Sequence, residues 1–243
     1  ASCFSALVAT AAPLGGETAT PGHLEWSYGS EVDMNSRYVW RGIVYNDRSV
    51  AQPSAWISAS DLTLSVWANR GLEEKYGSAF VDEVDGTLEY ARGWGDFAGD
   101  LSVSYFHYPG QEEAPATGEV AVGCEYSLGI VSVRTWHAMD YLEYTGAYWG
   151  EAGLSTGVEL APNVSLEGRT GFGWASSKFN EAYWGVTRSS FSLWSFDVAL
   201  NYRIGDYFYL SPHGEFATIL DRDLTEDAQR NPVNFGLRMG VDF

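Results

Sequence analysis

The final stretch of the chain, Val233-Asn234-Phe235-Gly236-Leu237-Arg238-Met239-Gly240-Val241-Asp242-Phe243, alternates without a break. Val233, Phe235, Leu237, Met239, Val241 and Phe243 make one apolar face, while Asn234, Gly236, Arg238, Gly240 and Asp242 make the other. A helix repeats every 3.6 residues and cannot carry this pattern, whereas a strand repeats every two. One face is fit for hydrocarbon and the other is polar or small. That combination suits a strand that spans a bilayer with its back to lipid and its front to an enclosed interior.

Working back from this strand, the same period recurs. Trp194, Phe196, Val198, Leu200, Tyr202 and Ile204 alternate with Ser195, Asp197, Ala199, Asn201 and Arg203. Val120, Val122, Cys124, Tyr126 and Leu128 alternate with Glu119, Ala121, Gly123, Glu125 and Ser127, and Leu24, Trp26, Tyr28, Val32 and Met34 with Glu25, Ser27, Gly29, Glu31 and Asp33. The periodicity predicts twelve strands, at 24–41, 49–59, 62–70, 80–92, 96–108, 118–128, 130–139, 143–160, 163–175, 191–204, 206–219 and 232–243. Short turns near 60–61, 93–95, 128–129, 161–162 and 205–206 alternate with longer segments near 42–48, 71–79, 109–117, 140–142, 176–190 and 220–231. Tight turns at one end and long loops at the other are the habit of an up-and-down transmembrane β-barrel. The expected fold is therefore all-β, a single antiparallel barrel over 23–243, preceded by a tail or signal remnant over 1–22 whose Cys3 is one candidate for lipidation.

Composition agrees. The 243 residues include 10 Trp and 15 Tyr, and Lys+Arg number 14 against 32 Asp+Glu, for a net charge of −18. The acidic balance argues against nucleic acid as a partner, because phosphate binding needs clustered Lys and Arg. No apolar run is long enough for a transmembrane helix. A soluble β-sandwich also alternates, but its wet face carries many Lys, Glu and Thr, whereas here the polar face is rich in Gly, Ser and acids. Aromatics also gather near strand ends, as at Tyr105 and Tyr108 or Tyr207 and Tyr209, at the depth where a bilayer favours them.

Two motifs carry a resemblance. The closing set Phe235, Leu237, Met239, Val241 and Phe243, with Phe last, is similar to the C-terminal signal of Gram-negative outer-membrane proteins that the barrel-assembly machinery reads. Ser36-Arg37-Tyr38-Val39-Trp40-Arg41-Gly42-Ile43 resembles the S-x-Y-x-F/W-R-G-I signature of a family of bacterial outer-membrane proteins of undefined role, Gcw_chp. Gln52-Pro53 and Val66-Trp67-Ala68-Asn69 follow in that family's order, with Trp40 where Phe is commoner. The resemblance spans about the first 70 residues and the last strand. It implies a barrel in a Gram-negative outer membrane, in contact with its lipid and lipopolysaccharide, and says nothing of substrate.

With the apolar face outward, the interior wall follows by parity. Its acids are Glu25, Glu31, Asp33, Glu83, Asp85, Glu89, Asp100, Glu119, Glu125, Glu151, Glu159, Glu167, Asp197, Glu215 and Asp242. Its bases are Arg37, Arg41, Arg134, Arg169, Arg203 and Arg238, joined by His213. Charges in lipid cost several kcal/mol, so the interior is where they belong. The excess of carboxylates points to a narrow, porin-like channel for small cationic or neutral solutes. The alternative is a closed structural or partner-binding barrel, alone, as a homo-oligomer or with another envelope protein. A twelve-strand bore lies between those that side chains fill and those that hold a water channel.

A lipid-modifying enzyme is a third possibility, but none of His23, His107, His137 and His213 stands in a recognisable Ser–His cluster. His107 and His137 have lipid-facing parity near the outer rim, and His213 faces inward between Ser211 and Glu215. The acidic segments Glu73-Glu74, Glu112-Glu113 and Asp221 to Asp227 lack calcium-loop spacing and read as solvated loops. Two Cys are too few for a thiolate zinc site, and no phosphate loop is present, so neither metal nor cofactor is expected.

Overall fold

In a computed structural model the described residues are 25–73, 81–111, 114–224 and 230–243. The 1–22 tail with Cys3, and His23, Glu74, Glu112-Glu113 and Thr225 to Asp227, lie outside them. Twelve strands close into one antiparallel barrel. They are β1 (Trp26–Asn35), β4 (Val50–Ala59), β5 (Leu62–Gly71), β6 (Val81–Trp94), β7 (Phe97–His107), β8 (Thr117–Ser127), β9 (Val131–Asp140), β10 (Tyr148–Ala161), β11 (Val164–Ala175), β12 (Ser190–Ile204), β13 (Phe208–Ile219) and β14 (Val233–Asp242). Each pairs with its sequence neighbour, and β1 closes the ring between β4 and β14. Two shorter strands, β2 (Tyr38–Trp40) and β3 (Ile43–Asn46), pair only with each other.

The alternation sets the two faces. Leu62, Leu64 and Val66 on β5, Leu101 and Val103 on β7, and Phe235, Leu237 and Met239 on β14 are exposed on the outside. Every strand contributes to this apolar band, which water would not tolerate and hydrocarbon would. Among the described residues no helix is long and apolar enough to cross a membrane. Phe243 stacks between Tyr28 and Tyr207 at the short-turn end, with centroids 5.1 and 4.9 Å away, and Tyr28 and Phe243 exchange backbone hydrogen bonds.

Inside, β14 carries glycine where a side chain would obstruct its neighbours. A Cβ on Gly236 would lie 2.4 Å from both Asn35 Oδ1 and His213 Nε2. Its absence lets His213 on β13 reach across β14 to Asp33 on β1, at 2.9 Å. The polar half of the alternation thus makes room for interior contacts between strands that are not adjacent.

Three expectations need correction. The segment 24–41 is not one strand: β1 ends at Asn35, and the chain bends inward into the β2–β3 hairpin. About ten residues already fill the membrane-spanning length. The hairpin turns at Arg41 and Gly42, whose φ values of 50° and 80° are the paired positive angles of a tight two-residue turn. Residues 143–147 do not open β10, which begins at Tyr148, because Asp140 Oδ1 accepts the N–H groups of Leu142 and Tyr144 and holds that segment as a turn. The long segment 176–190 contains a helix, α1 (Ser177–Trp184), capped by Ser176 Oγ, which accepts from the Phe179 N–H, and ended by Gly185 in the left-handed region.

Candidate functional site

The hairpin and α1 meet inside the long-loop mouth of the barrel. The apolar side chains Trp149, Ala175, Phe179, Leu193, Ala217, Ile219 and Leu224 form a buried cluster there, with Trp40, Trp136, Tyr144 and Tyr183 packed against it. Trp40 touches Phe179 and Tyr183 at 5.9 and 5.2 Å between ring centroids, while Tyr38 lies 5.6 Å from Trp67 on β5. The tip of the turn rests on β12 and β13: a Cβ on Gly42 would sit 2.5 Å from Ile219 Cδ1 and 3.0 Å from Leu193 Cδ1. Burial raises the pKa of the Tyr183 phenol well above its ordinary range, so that ring enters the cluster uncharged.

Arg41 makes the crossing. Counting round the barrel from β1 through β14, β8 is the eighth strand, so Glu119 stands on the wall that faces the hairpin's root. Arg41 Nη1 and Nη2 donate to Glu119 Oε1 and Oε2 at 2.7 and 2.6 Å, a bidentate pair in which both residues are buried. The same guanidinium lies 4.2 Å from the Trp40 ring centroid, 5.4 Å from that of Trp136, 5.5 Å from Trp149 and 5.3 Å from Phe179. Each desolvated cation–π contact contributes about 0.5–2 kcal/mol. A non-glycine residue held at positive φ costs on the order of 1 kcal/mol, and the ion pair together with the ring contacts more than offsets it.

Elsewhere the wall charges pair locally. Arg238 lies 3.6 Å from Glu31 and 3.5 Å from Asp33, and the Tyr209 hydroxyl donates to Glu31 at 2.6 Å. Arg134 reaches Asp100 at 3.3 Å and faces Glu125 in the β8–β9 register. Arg169 and Asp197 face each other across β11 and β12, and Asp197 faces Glu215 across β12 and β13. Arg203 forks onto Asp242 at 2.9 and 2.8 Å at the short-turn end. Glu83, Asp85 and Glu89 share the inner face of β6. Glu151 accepts the Trp149 indole N–H at 2.6 Å, while Glu167 lies 3.9 Å from Arg169 on its own strand.

Three residues assigned to the wall stand off it. Glu25 precedes β1 and is exposed at the rim. Arg37 lies in the bend between β1 and β2, where its N–H donates to Asn234 Oδ1. Arg41 rides on the hairpin tip, because the strand that would have carried both arginines ends at Asn35. Trp149 reads in the sequence as one of the aromatics near strand ends, and composition and parity assign neither it nor Trp136 nor Phe179 to a site. Their signal was aromatic residues at inward parity, or next to a Ser cap, close to the long loops.

His107 ends β7, exposed on the outer face. His137 points outward, hydrogen-bonded to Tyr148 Oη at 2.7 Å and Thr135 Oγ1 at 2.9 Å, with Trp174 at its edge. His213 contacts Asp33, not Ser211, whose hydroxyl donates to Asn201. Among the described residues no cluster of His, Cys, Asp and Glu is arranged to hold a metal ion.

No family model matches the chain and no curated protein matches it, so membership of the family that Ser36–Ile43 resembles is not shown. Solved structures do match. The NanC porin superposes with a TM-score of 0.55 at 10% identity, over 88% of this chain and 98% of that one. An outer membrane channel from Pseudomonas putida F1 gives 0.53 at 12% identity, over 91% and 97%. The KdgM porin, solved in complex with disordered oligogalacturonate, gives 0.51 at 8% identity, over 89% and 98%. At such identities the likeness is one of fold, and the fold is that of the outer-membrane porin barrels.

Proposed function

We propose that the chain forms a narrow channel in the outer membrane of a Gram-negative bacterium, acidic inside, which passes small cationic or neutral solutes and is constricted at its mouth by the β2–β3 hairpin. The observation that carries this reading is the Arg41–Glu119 pair, which spans the bore of a barrel whose wall carries more carboxylates than cationic side chains. Field focusing in a low-dielectric bore attracts cations and repels anions. KdgM was solved with a polyanionic uronate, whereas Glu83, Asp85, Glu89, Glu125, Glu151 and Asp197 make this wall a poor host for one. Phe235, Leu237, Met239, Val241 and Phe243 serve as the signal that delivers the strand to the assembly machinery, and the apolar band meets lipid and lipopolysaccharide.

Steady current through the purified barrel in a planar bilayer, with a reversal potential that favours cations, supports the channel. Replacing Glu83, Asp85 and Glu89 together with Gln should move the reversal potential toward zero, and an unmoved potential would place them off the conduction path.

The buried cluster at the mouth favours a second reading, a closed barrel of structural or partner-binding role. Silence at all voltages, in the parent and in variants that free the hairpin, would select it.

A further inference from the structure

Apart from its neighbour Trp40, Arg41 is held by residues that all come from outside the hairpin. Glu119 comes from β8, Trp136 from β9, Trp149 and Glu151 from β10, and Phe179 from α1. Trp149 and Phe179 are fully buried, and Glu151 is only 3% exposed. The Trp149 Nε1–H donates to Glu151 Oε1, which fixes both the indole plane and the carboxylate. Glu151 Oε2 is buried too and has no hydrogen-bond partner. This carboxylate lies within electrostatic reach of Arg41 and of Arg134. The site therefore offers a bidentate acceptor, three aromatic rings from the wall and α1, and acceptor capacity that Arg41 does not use.

Such a set selects one class of chemistry. A carboxylate met by two parallel N–H donors fits the planar fork of a guanidinium. Ring faces favour a weakly hydrated, delocalised cation over a compact ammonium. We propose that Glu119, Trp136, Trp149, Glu151 and Phe179 form a guanidinium-binding subsite of the channel, with Arg41 as its tethered occupant. Solutes bearing a monosubstituted guanidinium group take the same place when the hairpin is off it. The proposal deepens the cation-channel reading and rests on it for its physiological sense. A short tether gives Arg41 an effective concentration of roughly millimolar or above, so closure and solute binding exclude each other.

The test removes the tethered ligand and supplies a free one. In Arg41→Gly the turn survives, because glycine accepts the left-handed angle of that position. Methylguanidinium is titrated into the detergent-folded variant and read by tryptophan fluorescence and by melting temperature. The expected result is saturable quenching with half-saturation near ~1 mM, the reach of a small polar ligand, and a rise in melting temperature. The parent protein should give no saturable response below about 10 mM, because its site is filled. Methylammonium and urea should bind at least about tenfold more weakly, and adding Glu119→Gln to the variant should cost a similar factor.

No saturable response in a folded Arg41→Gly barrel overturns the proposal, as does equal binding of methylammonium and methylguanidinium. Should Arg41→Gly fail to fold, judged by heat-modifiable gel migration, Arg41→Asn replaces it, since Asn also tolerates positive φ. Bilayer currents keep the two readings apart. Binding in a barrel that never conducts retains the subsite and rejects the channel. Conduction without binding rejects the subsite and leaves the channel standing.

Discussion

The wall and the mouth of the barrel interior hold themselves together in different ways. On the wall the described ion pairs and hydrogen bonds link nearby strands. Arg238 with Glu31 and Asp33, His213 with Asp33, Tyr209 with Glu31, and Arg203 with Asp242 all join strands no more than two apart. At the long-loop end the chief contact runs across the bore, from a hairpin rooted at β1 to Glu119 on the far wall, and aromatic rings fill the space beside it. A wall network stiffens a cylinder without obstructing it. A transverse pair obstructs it, and it depends on one element that is not part of the cylinder. The difference teaches that closure and barrel integrity are separable in this molecule, because nearly all the backbone pairing of the cylinder would survive the hairpin's release.

The largest expected effect breaks the transverse pair. Glu119→Ala leaves the Arg41 guanidinium buried without its partner, a change that costs on the order of 3–5 kcal/mol when the site cannot relax. Here it can relax by undocking, so the cost should appear as a freed hairpin. The expected outcome is a several-fold rise in single-channel current with the barrel still folded and heat-modifiable on gels. The swap Arg41→Glu with Glu119→Arg sharpens the point, since it restores opposite charges but places a carboxylate among ring faces that repel it. Closure should not return. A swap that restores the closed state would reduce the site to plain charge pairing.

The wall network is tested next, with a smaller effect and in the other observable. Gly236→Val puts a side chain where Asn35 Oδ1 and His213 Nε2 already lie, and forces His213 from Asp33. Overpacking of this kind costs about 1–3 kcal/mol. Thermal unfolding should shift downward while the ratio of open to closed current stays near that of the parent. A variant that melts normally but conducts freely would couple the wall to the mouth and dissolve the contrast.

The wall was legible in the sequence and the mouth was not, for a physical reason. Val233 to Phe243 alternates because each residue faces one of two solvents, and that constraint recurs in all twelve strands. Tyr38, Val39 and Trp40 obey no such rule. They are apolar because they pack on other parts of the same chain, and their order continues the alternation of β1, so parity alone extends the strand through them. The clue lay in length. A run over 24–41 is far longer than the roughly ten residues a tilted strand needs, and Arg41-Gly42, at its end, is a dipeptide suited to a turn. Glu119 had the right parity, but nothing in β8 announces that its partner arrives from a hairpin rooted across the bore. Ser176 and Gly185 bracket α1 with ordinary cap chemistry, yet a helix of eight residues leaves too little periodicity to stand out from a loop.

The smallest effect is expected outside the barrel. His137 lies on the lipid face near the long-loop rim, hydrogen-bonded to Thr135 and Tyr148 and edge-on to Trp174. The contacts satisfy polar atoms at a depth where both water and hydrocarbon are close, which is the setting that aromatic girdles favour. His137→Phe keeps the ring contacts and removes two hydrogen bonds, a loss of about 1 kcal/mol or less if Tyr148 finds water or a lipid headgroup instead. Neither the current nor its ion preference should change, since β9 turns Trp136 and Ala138, and not His137, toward the mouth. An acyl-release assay on lipid should likewise be indifferent to the substitution. A lost acyl-release signal would revive the lipid-modifying enzyme. An altered current would mean that the outer surface of β9 and β10 controls the position of Trp136 and Trp149, so that the guanidinium site is set by the membrane as well as by the hairpin.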